Sequence, residues 1–316
     1  MSRHDDRTFL DRLPGPGDPP LILAHRGDCA RAPENTLLAA FRGWERGADG
    51  WEFDVQLTRD GVPVVLHDES LARTTDVAAR FRGDPRGRRG YPVSKFDYAE
   101  IRTLNAGAWF VTGGPSVERS SAWFGDDSRV AAEDRAACLS DTVRVPTLRE
   151  ALELTERLDW LANVELKTFP NRSDRLLDAV VAEVDRLGVH GRVLISAFDH
   201  RELTRAAALR PLIPAAALVA QPLDRPAAYL RSVPGARCVH PSAAVLGAEA
   251  DRYLDAPTAD HLDVETIEAF RRAGVPVLVW TVNDPGPDGL ARHLADAGVA
   301  GLFTDDVEPL RALFGG

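Results

Sequence analysis

Cysteine is scarce in this chain: Cys29, Cys138 and Cys238 are the only three, odd in number, far apart and without a Cys-x-x-Cys pair. That spacing excludes a disulfide framework and a cysteine-built zinc site. Long apolar runs are missing too, with nothing near the roughly 18 residues of a membrane-spanning helix. The first twenty residues, MSRHDDRTFLDRLPGPGDPP, carry charges throughout and lack the apolar segment of a secretion signal. A cytoplasmic, disulfide-free, zinc-independent protein is the expectation. No Gly-rich dinucleotide fingerprint supports an open doubly wound sheet. Positive charge is in deficit, with 38 Lys and Arg against 48 Asp and Glu and a formal charge of −10. Such a surface repels nucleic acid and anionic membranes at long range, so neither is an expected partner. An anionic small molecule then needs a local positive site.

What the chain does have is concentrated between Leu21 and Thr75. Leu21 to Ala24 is a short apolar run that stops at His25-Arg26-Gly27, as a buried strand does on reaching one edge of a sheet. From Glu34 to Arg46 the residues Leu37, Leu38, Ala40, Phe41 and Trp44 recur at helical spacing, with Asn35 as the expected cap and Gly47 as the stop. Trp51 to Thr58 alternates and puts Glu52, Asp54 and Gln56 on one face. Two acids side by side repel, which implies a positive partner. Asp60-Gly61 signals a two-residue hairpin turn, with Val62 to Leu66 as the returning strand. In that register Asp54 lies opposite His67, and opposed residues share a face with Cβ atoms about 5 Å apart.

Beyond the hairpin, Arg80 to Gly90 is basic and Gly-rich and reads as a mobile loop. Ser94 to Leu104 reads as one short helix capped by Ser94. Periodicity is weak from Asn105 to Arg144, so residues 76–145 read as an insertion or lid over an active-site mouth. Thr147 is the expected cap of a helix reaching Leu158. Strands follow near Leu161 to Leu166, Arg192 to Ala197, Ala215 to Val219, Arg237 to Val239, Pro276 to Thr281 and Gly301 to Phe303, with helical patterns between them. Together with the two earlier strands these make eight alternating units. The predicted fold is α/β, a (β/α)8 TIM barrel over 21–316 with an insertion after the second-strand hairpin and residues 1–20 as an N-terminal extension. In such a barrel the active residues sit at the C-terminal ends of strands. Glu165-Leu166-Lys167, Ser196-Ala197-Phe198, Trp280-Thr281-Val282-Asn283-Asp284 and Phe303-Thr304-Asp305-Asp306 all fall there, as do His25 and Arg26.

His25-Arg26-Gly27, Pro33-Glu34-Asn35-Thr36, Gly47-Ala48-Asp49, Glu52-x-Asp54-Val55, Thr58-x-Asp60-Gly61, His67-Asp68 and Leu71-x-Arg73-Thr74-Thr75, in this order, resemble the glycerophosphodiester phosphodiesterase family. The later strand-end motifs follow that family's order as well, so the similarity runs from about Leu21 to Leu310. Between Phe81 and Arg144 only Leu104 to Phe110 is similar. The resemblance implies hydrolysis of small-molecule glycerophosphodiesters, the deacylated phospholipids, to glycerol 3-phosphate and an alcohol. It implies one divalent cation on Glu52, Asp54 and Glu165, and His25 and His67 as the acid and base. It also implies that the glycerol hydroxyl attacks first, giving a cyclic phosphate that water then opens.

The residue types are suited to that chemistry. Three carboxylates aimed into one mouth need a cation, and hard oxygen ligands suit Mg2+ or Ca2+. Arg26 and Lys167 balance the charge of a phosphate, the arginine by binding two oxygens at once and the lysine as a compact point charge. Displacement at a phosphodiester needs one group to take a proton and another to give one, and imidazole, titrating near ~6.5, does either at neutral pH. Phe198 and Trp280 read as an aromatic wall beside the glycerol, and Glu34 as a support of the first loop. Two other readings compete. One is a phosphodiesterase acting on lysophospholipid or phosphoinositide head groups. The other is a non-catalytic phosphodiester-binding barrel, for which two histidines are superfluous because binding needs no proton transfer.

Overall fold

Short apolar strands buried on both faces are what a closed parallel sheet under a coat of helices requires, and the computed structural model builds one from them. It describes residues 7–15, 17–113, 129–168, 173–247 and 262–315. The strands are β1 Leu21–His25, β2 Gly50–Leu57, β3 Pro63–Val65, β4 Leu161–Leu166, β5 Val193–Ala197, β6 Ala215–Val219, β7 Ala236–Pro241, β8 Leu278–Val279 and β9 Gly301–Thr304. Eight of them pair in the order β7-β6-β5-β4-β2-β1-β9-β8, with β3 off that path on β2. Parallel bridges from Val239 to Val277 and from Ser242 to Trp280 carry β7 back to β8. The result is a nearly closed (β/α)8 barrel, as the alternating pattern predicts.

Alternation along the strands sorts the side chains. Ile22, Ala24, Trp51, Phe53, Val55, Ala162, Val164 and Ile195 point outward into the main core against the helices. Leu23, Leu161, Leu194, Ala216, Cys238, Leu278 and Phe303 form an apolar layer inside the barrel. Two residues further along each strand, on the same inward face, come His25, Asn163, Ser196, Leu218, His240, Trp280 and Asp305. The apolar layer is closed from below by Phe9, fully buried on a turn of 3-10 helix at Phe9–Arg12. The described part of the expected N-terminal extension is thus a plug of the barrel interior.

Four expectations need correction. The cap of the first helix, Leu37–Glu45, is Thr36 and not Asn35: the Thr36 hydroxyl accepts from the Ala39 amide. Asn35 has left-handed backbone (φ 58°), which frees its amide for another task described below. The hairpin loop is Arg59-Asp60-Gly61 with Thr58 N bonded to Val62 O at 3.1 Å, and Val55 pairs with Val65. Gly61 takes the left-handed position (φ 84°) that ends such a loop. The register is one residue off the expected one, and Leu66, not His67, stands at Asp54.

The stretch Ser94 to Leu104 is broken into a 3-10 turn, Val93–Lys95, and a short helix, Tyr98–Ile101, whose cap is Asp97. Finally, Arg80 to Gly90 is built into the end of a helical turn, Val77–Arg80, and a 3-10 turn, Pro85–Arg89, in place of the expected loop. Arg86 pairs with Asp84 and Glu100 at 2.7 and 2.9 Å and lies 3.6 Å over the Phe96 ring. Around it Leu71, Val77, Val93, Phe96, Ile101, Leu104 and Cys138 make a second small core beneath β3. Gly114-Pro115 and Gly125-Asp126-Asp127, within the expected insertion, lie outside the described residues.

Phe9→Ala should cost about 3 to 5 kcal/mol, the usual loss for emptying a buried aromatic site. Urea unfolding checks this, and a change below about 1 kcal/mol would mean that the plug adds nothing to the barrel.

Candidate active site

The inward-facing layer opens into a cavity of about 190 Å³ at the C-terminal ends of the strands, lined by His25, Arg26, Glu52, His67, Asn163, Glu165, Lys167, Phe198, Leu218, His240, Trp280 and Phe303. A larger cleft of about 890 Å³ at the other end, between the 13–20 segment, Arg271, Arg292 and Phe314, gathers no such set of acids and histidines. Among the described residues of 76–145, none lines the smaller cavity.

Sheet register assembles the acids. His25 is level with Glu52 across β1 and β2, and Asp54 is level with Glu165 across β2 and β4. Glu52, Asp54 and Glu165 each turn a carboxylate oxygen to a common point, all within 4.8 Å of one another. Lys167 Nζ sits 2.9 Å from Asp54 Oδ1 and also pairs with Glu165. Arg26 Nε is 3.4 Å from Asp54 Oδ2. Asn35, released from capping, donates its amide to Asp54 Oδ2 at 2.8 Å and accepts from the Asp54 amide at 3.1 Å. Burial works against the charge on Asp54, but Lys167 and Arg26 outweigh it and hold the carboxyl well below its usual range. Among the described residues Glu52 has only the backbone amide of Arg26, at 3.0 Å, as a donor. Burial and the neighbouring Asp54 push its pKa up, and its Oε1 is buried without a partner.

Each histidine is fixed by a carboxylate that reading the sequence for catalytic residues missed. His25 Nδ1 lies 2.7 Å from Asp305 Oδ1, leaving Nε2 toward Glu52 at 3.9 Å. Asp305 is itself held, by Asn283 Nδ2 at 2.7 Å and by the Cys29 thiol at 3.1 Å. Burial and Arg26 oppose a charge on His25, yet Asp305 and then Glu52 prevail and its pKa is raised. Burial pushes the Cys29 thiol well above its ordinary value, so Cys29 is a brace and no nucleophile.

His67 Nδ1 lies 2.7 Å from Asp68 Oδ1. Arg73 grips Asp68 at 2.6 Å and Glu34 at 2.7 Å, and Glu34 grips Arg26 at 2.9 Å. Because β3 ends at Val65, His67 escapes the register that would have set its face. The Gln56 side chain instead pins the turn, donating to the Leu66 carbonyl at 3.2 Å, the His67 carbonyl at 2.9 Å and the Asp68 carbonyl. A carboxylate accepts only, so both pairs place the proton on Nδ1 of a neutral ring and turn the Nε2 lone pair outward.

Phe198 stands at the rim, 46% exposed, edge-on to Trp280 with ring centroids 5.8 Å apart. No helix among the described residues is long and apolar enough to cross a membrane.

Set beside known proteins, residues 25–309 match the model of the glycerophosphoryl diester phosphodiesterase family. The chain is 32% identical to a glycerophosphodiester phosphodiesterase of Caldanaerobacter subterraneus subsp. tengcongensis, over 92% of this chain and 96% of that one. It is 31% identical to one of Bacillus altitudinis, over 90% and 94%. Its fold is similar to that of an Oleispira antarctica phosphodiesterase solved with the product sn-glycerol-3-phosphate, with a TM-score of 0.72, 24% identity and coverage of 98% and 100%.

Asp305→Asn should lower kcat by about two orders of magnitude or more with little change in KM, because the amide stabilises the wrong tautomer and no imidazolium. Asp305 raises the His25 pKa, so its loss should also move the His25 limb of the pH–rate profile to lower pH. A profile and rate like wild type would show that His25 needs no partner.

Proposed function

The chain belongs to the glycerophosphoryl diester phosphodiesterase family, and from that premise we propose that it hydrolyses glycerophosphodiesters to glycerol 3-phosphate and an alcohol by metal-dependent acid–base catalysis. The observation that carries this reading is a pair of histidines, each tied at Nδ1 to its own carboxylate, on one cavity with three clustered acids. Binding alone requires no such pair, which disfavours a non-catalytic barrel.

Glu52, Asp54 and Glu165 would hold a divalent ion, and the residues fit one: the donors are all hard oxygens, and a buried Glu52 oxygen is unpaired. Mg2+ and Ca2+ both satisfy that donor set. Bound there, the ion would polarise a phosphoryl oxygen and offset charge developing at phosphorus. Arg26 and Lys167, on the same side of the cavity, supply the remaining positive charge for a phosphate.

His25 and His67 carry the protons. A neutral ring offers Nε2 as a base and a protonated ring offers the N–H as an acid, so one takes the proton of the attacking hydroxyl while the other gives one to the departing alkoxide. Where the glycerol hydroxyl attacks, a cyclic phosphate forms, and the two rings exchange roles as water opens it. The small cavity favours a glycerophosphoryl group over an acylated lipid, whose chain must leave past Phe198.

Metal-stripped protein should release no glycerol 3-phosphate from glycerophosphocholine, glycerophosphoethanolamine or glycerophosphoinositol, and adding Mg2+ or Ca2+ should restore release from at least one. Silence on all three with metal demonstrably bound would overturn the substrate class. His67→Ala should lower kcat by about two to four orders of magnitude while product affinity is kept, and near-normal turnover would remove His67 from proton transfer.

A further inference from the structure

The cavity has two unlike halves. Strands β1, β2 and β4 and the hairpin fill one with charge, through His25, Arg26, Glu52, His67, Glu165 and Lys167. The other, from β5 to β9, presents Phe198, Leu218, Trp280 and Phe303, all carbon-rich, and among them His240. His240 is fully buried, its ring edge-on to Phe303 at 5.0 Å between centroids. Neither ring nitrogen has a hydrogen-bond partner among the described residues.

The surrounding groups are already spent. The Trp280 indole N–H donates to the His240 backbone carbonyl at 2.8 Å. Asn163, on the floor next to the acids, gives its Nδ2 to Ser196 Oγ at 3.0 Å, and its Oδ1 is likewise buried and unpaired.

A buried polar group left unpaired is destabilising, and interior histidines kept for packing are satisfied by their neighbours. Leucine or phenylalanine would fill the same space without that cost. Burial holds the His240 imidazole down to about 3, so the ring is neutral, with one N–H and one lone pair. An alcohol hydroxyl, which both donates and accepts, is the matching group.

We propose that His240, together with Asn163, recognises the free hydroxyls of the polyol part of the substrate and selects it over a deoxy or acylated counterpart. This rests on the glycerophosphodiester reading above. The carbon-rich wall takes the glycerol CH faces, and the two unpaired side chains take its hydroxyls.

The test compares glycerol 3-phosphate with propyl phosphate, equal in length and charge but without hydroxyls, by calorimetric titration in saturating Mg2+. Wild-type protein should prefer glycerol 3-phosphate by about tenfold to a hundredfold, the value of a hydroxyl met by buried polar groups. His240→Leu should lose most of that preference while propyl phosphate affinity stays within about threefold. His240→Asn, which keeps a donor and an acceptor, should recover part of it. Equal losses for both ligands would make His240 a packing residue and overturn the proposal. A wild-type ratio near one overturns it too, and that measurement stands even where a variant does not fold. Wild-type protein that releases no glycerol 3-phosphate from any glycerophosphodiester overturns the reading beneath it, whereas active protein with a ratio near one overturns hydroxyl recognition alone.

Discussion

Gathering Glu52, Asp54 and Glu165 within 4.8 Å inside a barrel places charge where each unpaired ion costs several kcal/mol after relaxation. The first response is local: Lys167 inserts between Asp54 and Glu165, and Arg26 approaches Asp54 from β1. The second reaches further. Arg26 is shared with Glu34, Glu34 with Arg73, Arg73 with Asp68, and Asp68 with His67. On the other side Glu52 faces His25, which Asp305 holds from β9. A chain of alternating charges therefore runs from His67 to Asp54 and Glu165, and a separate set, Asp305 with His25, flanks Glu52 on the other side. Breaking such a buried pair costs about 3 to 5 kcal/mol because the remaining partner is stranded.

Much of this was legible in the sequence, because period and residue type carry it. Strand alternation alone put Glu52 with Asp54 and Glu165 with Lys167 on common faces, and eight alternating units gave the barrel. The resemblance to a family joined His25, His67 and the acids before any distance was known. Other features are not local. Asp305 is 280 positions from His25 and meets it only because β9 lies beside β1. Asp68 was readable in principle, being adjacent to His67, but a neighbouring carboxylate is common and its grip by Arg73 is a tertiary fact. Asn35 illustrates the opposite hazard: its position before a helix suggests a cap, and a threonine one residue on does that work instead.

The hairpin shows how a wrong register leads to a right neighbour. A slip of one residue normally sends every side chain to the other face, and the loop of Arg59, Asp60 and Gly61 makes that slip here. His67 is spared because the ladder ends with the Leu66 amide on the Asp54 carbonyl and the chain then follows the Gln56 amide. Its placement is owed to a side chain on the acid face of β2, two positions after Asp54, and not to the ladder.

The division of the cavity bears on what a substrate must look like. On the proposed reading phosphate belongs with Arg26, Lys167 and the acid cluster, since among the described lining residues the cationic side chains are all in that half. One organic arm then turns toward β6 to β9, where the described lining is Leu218, His240, Trp280 and Phe303 and the ring nitrogens of His240 are unpaired among the described residues. The other arm lies nearer the mouth, where Phe198 is 46% exposed. An arm in the closed half is selected by shape and by hydrogen bonds that water cannot replace, whereas an arm at the mouth stays hydrated and is read weakly. If His240 reads hydroxyls as proposed, the inner arm is the glycerol and the outer arm the variable alcohol. A site so divided would discriminate sharply between glycerol and its deoxy analogues and mildly among head groups.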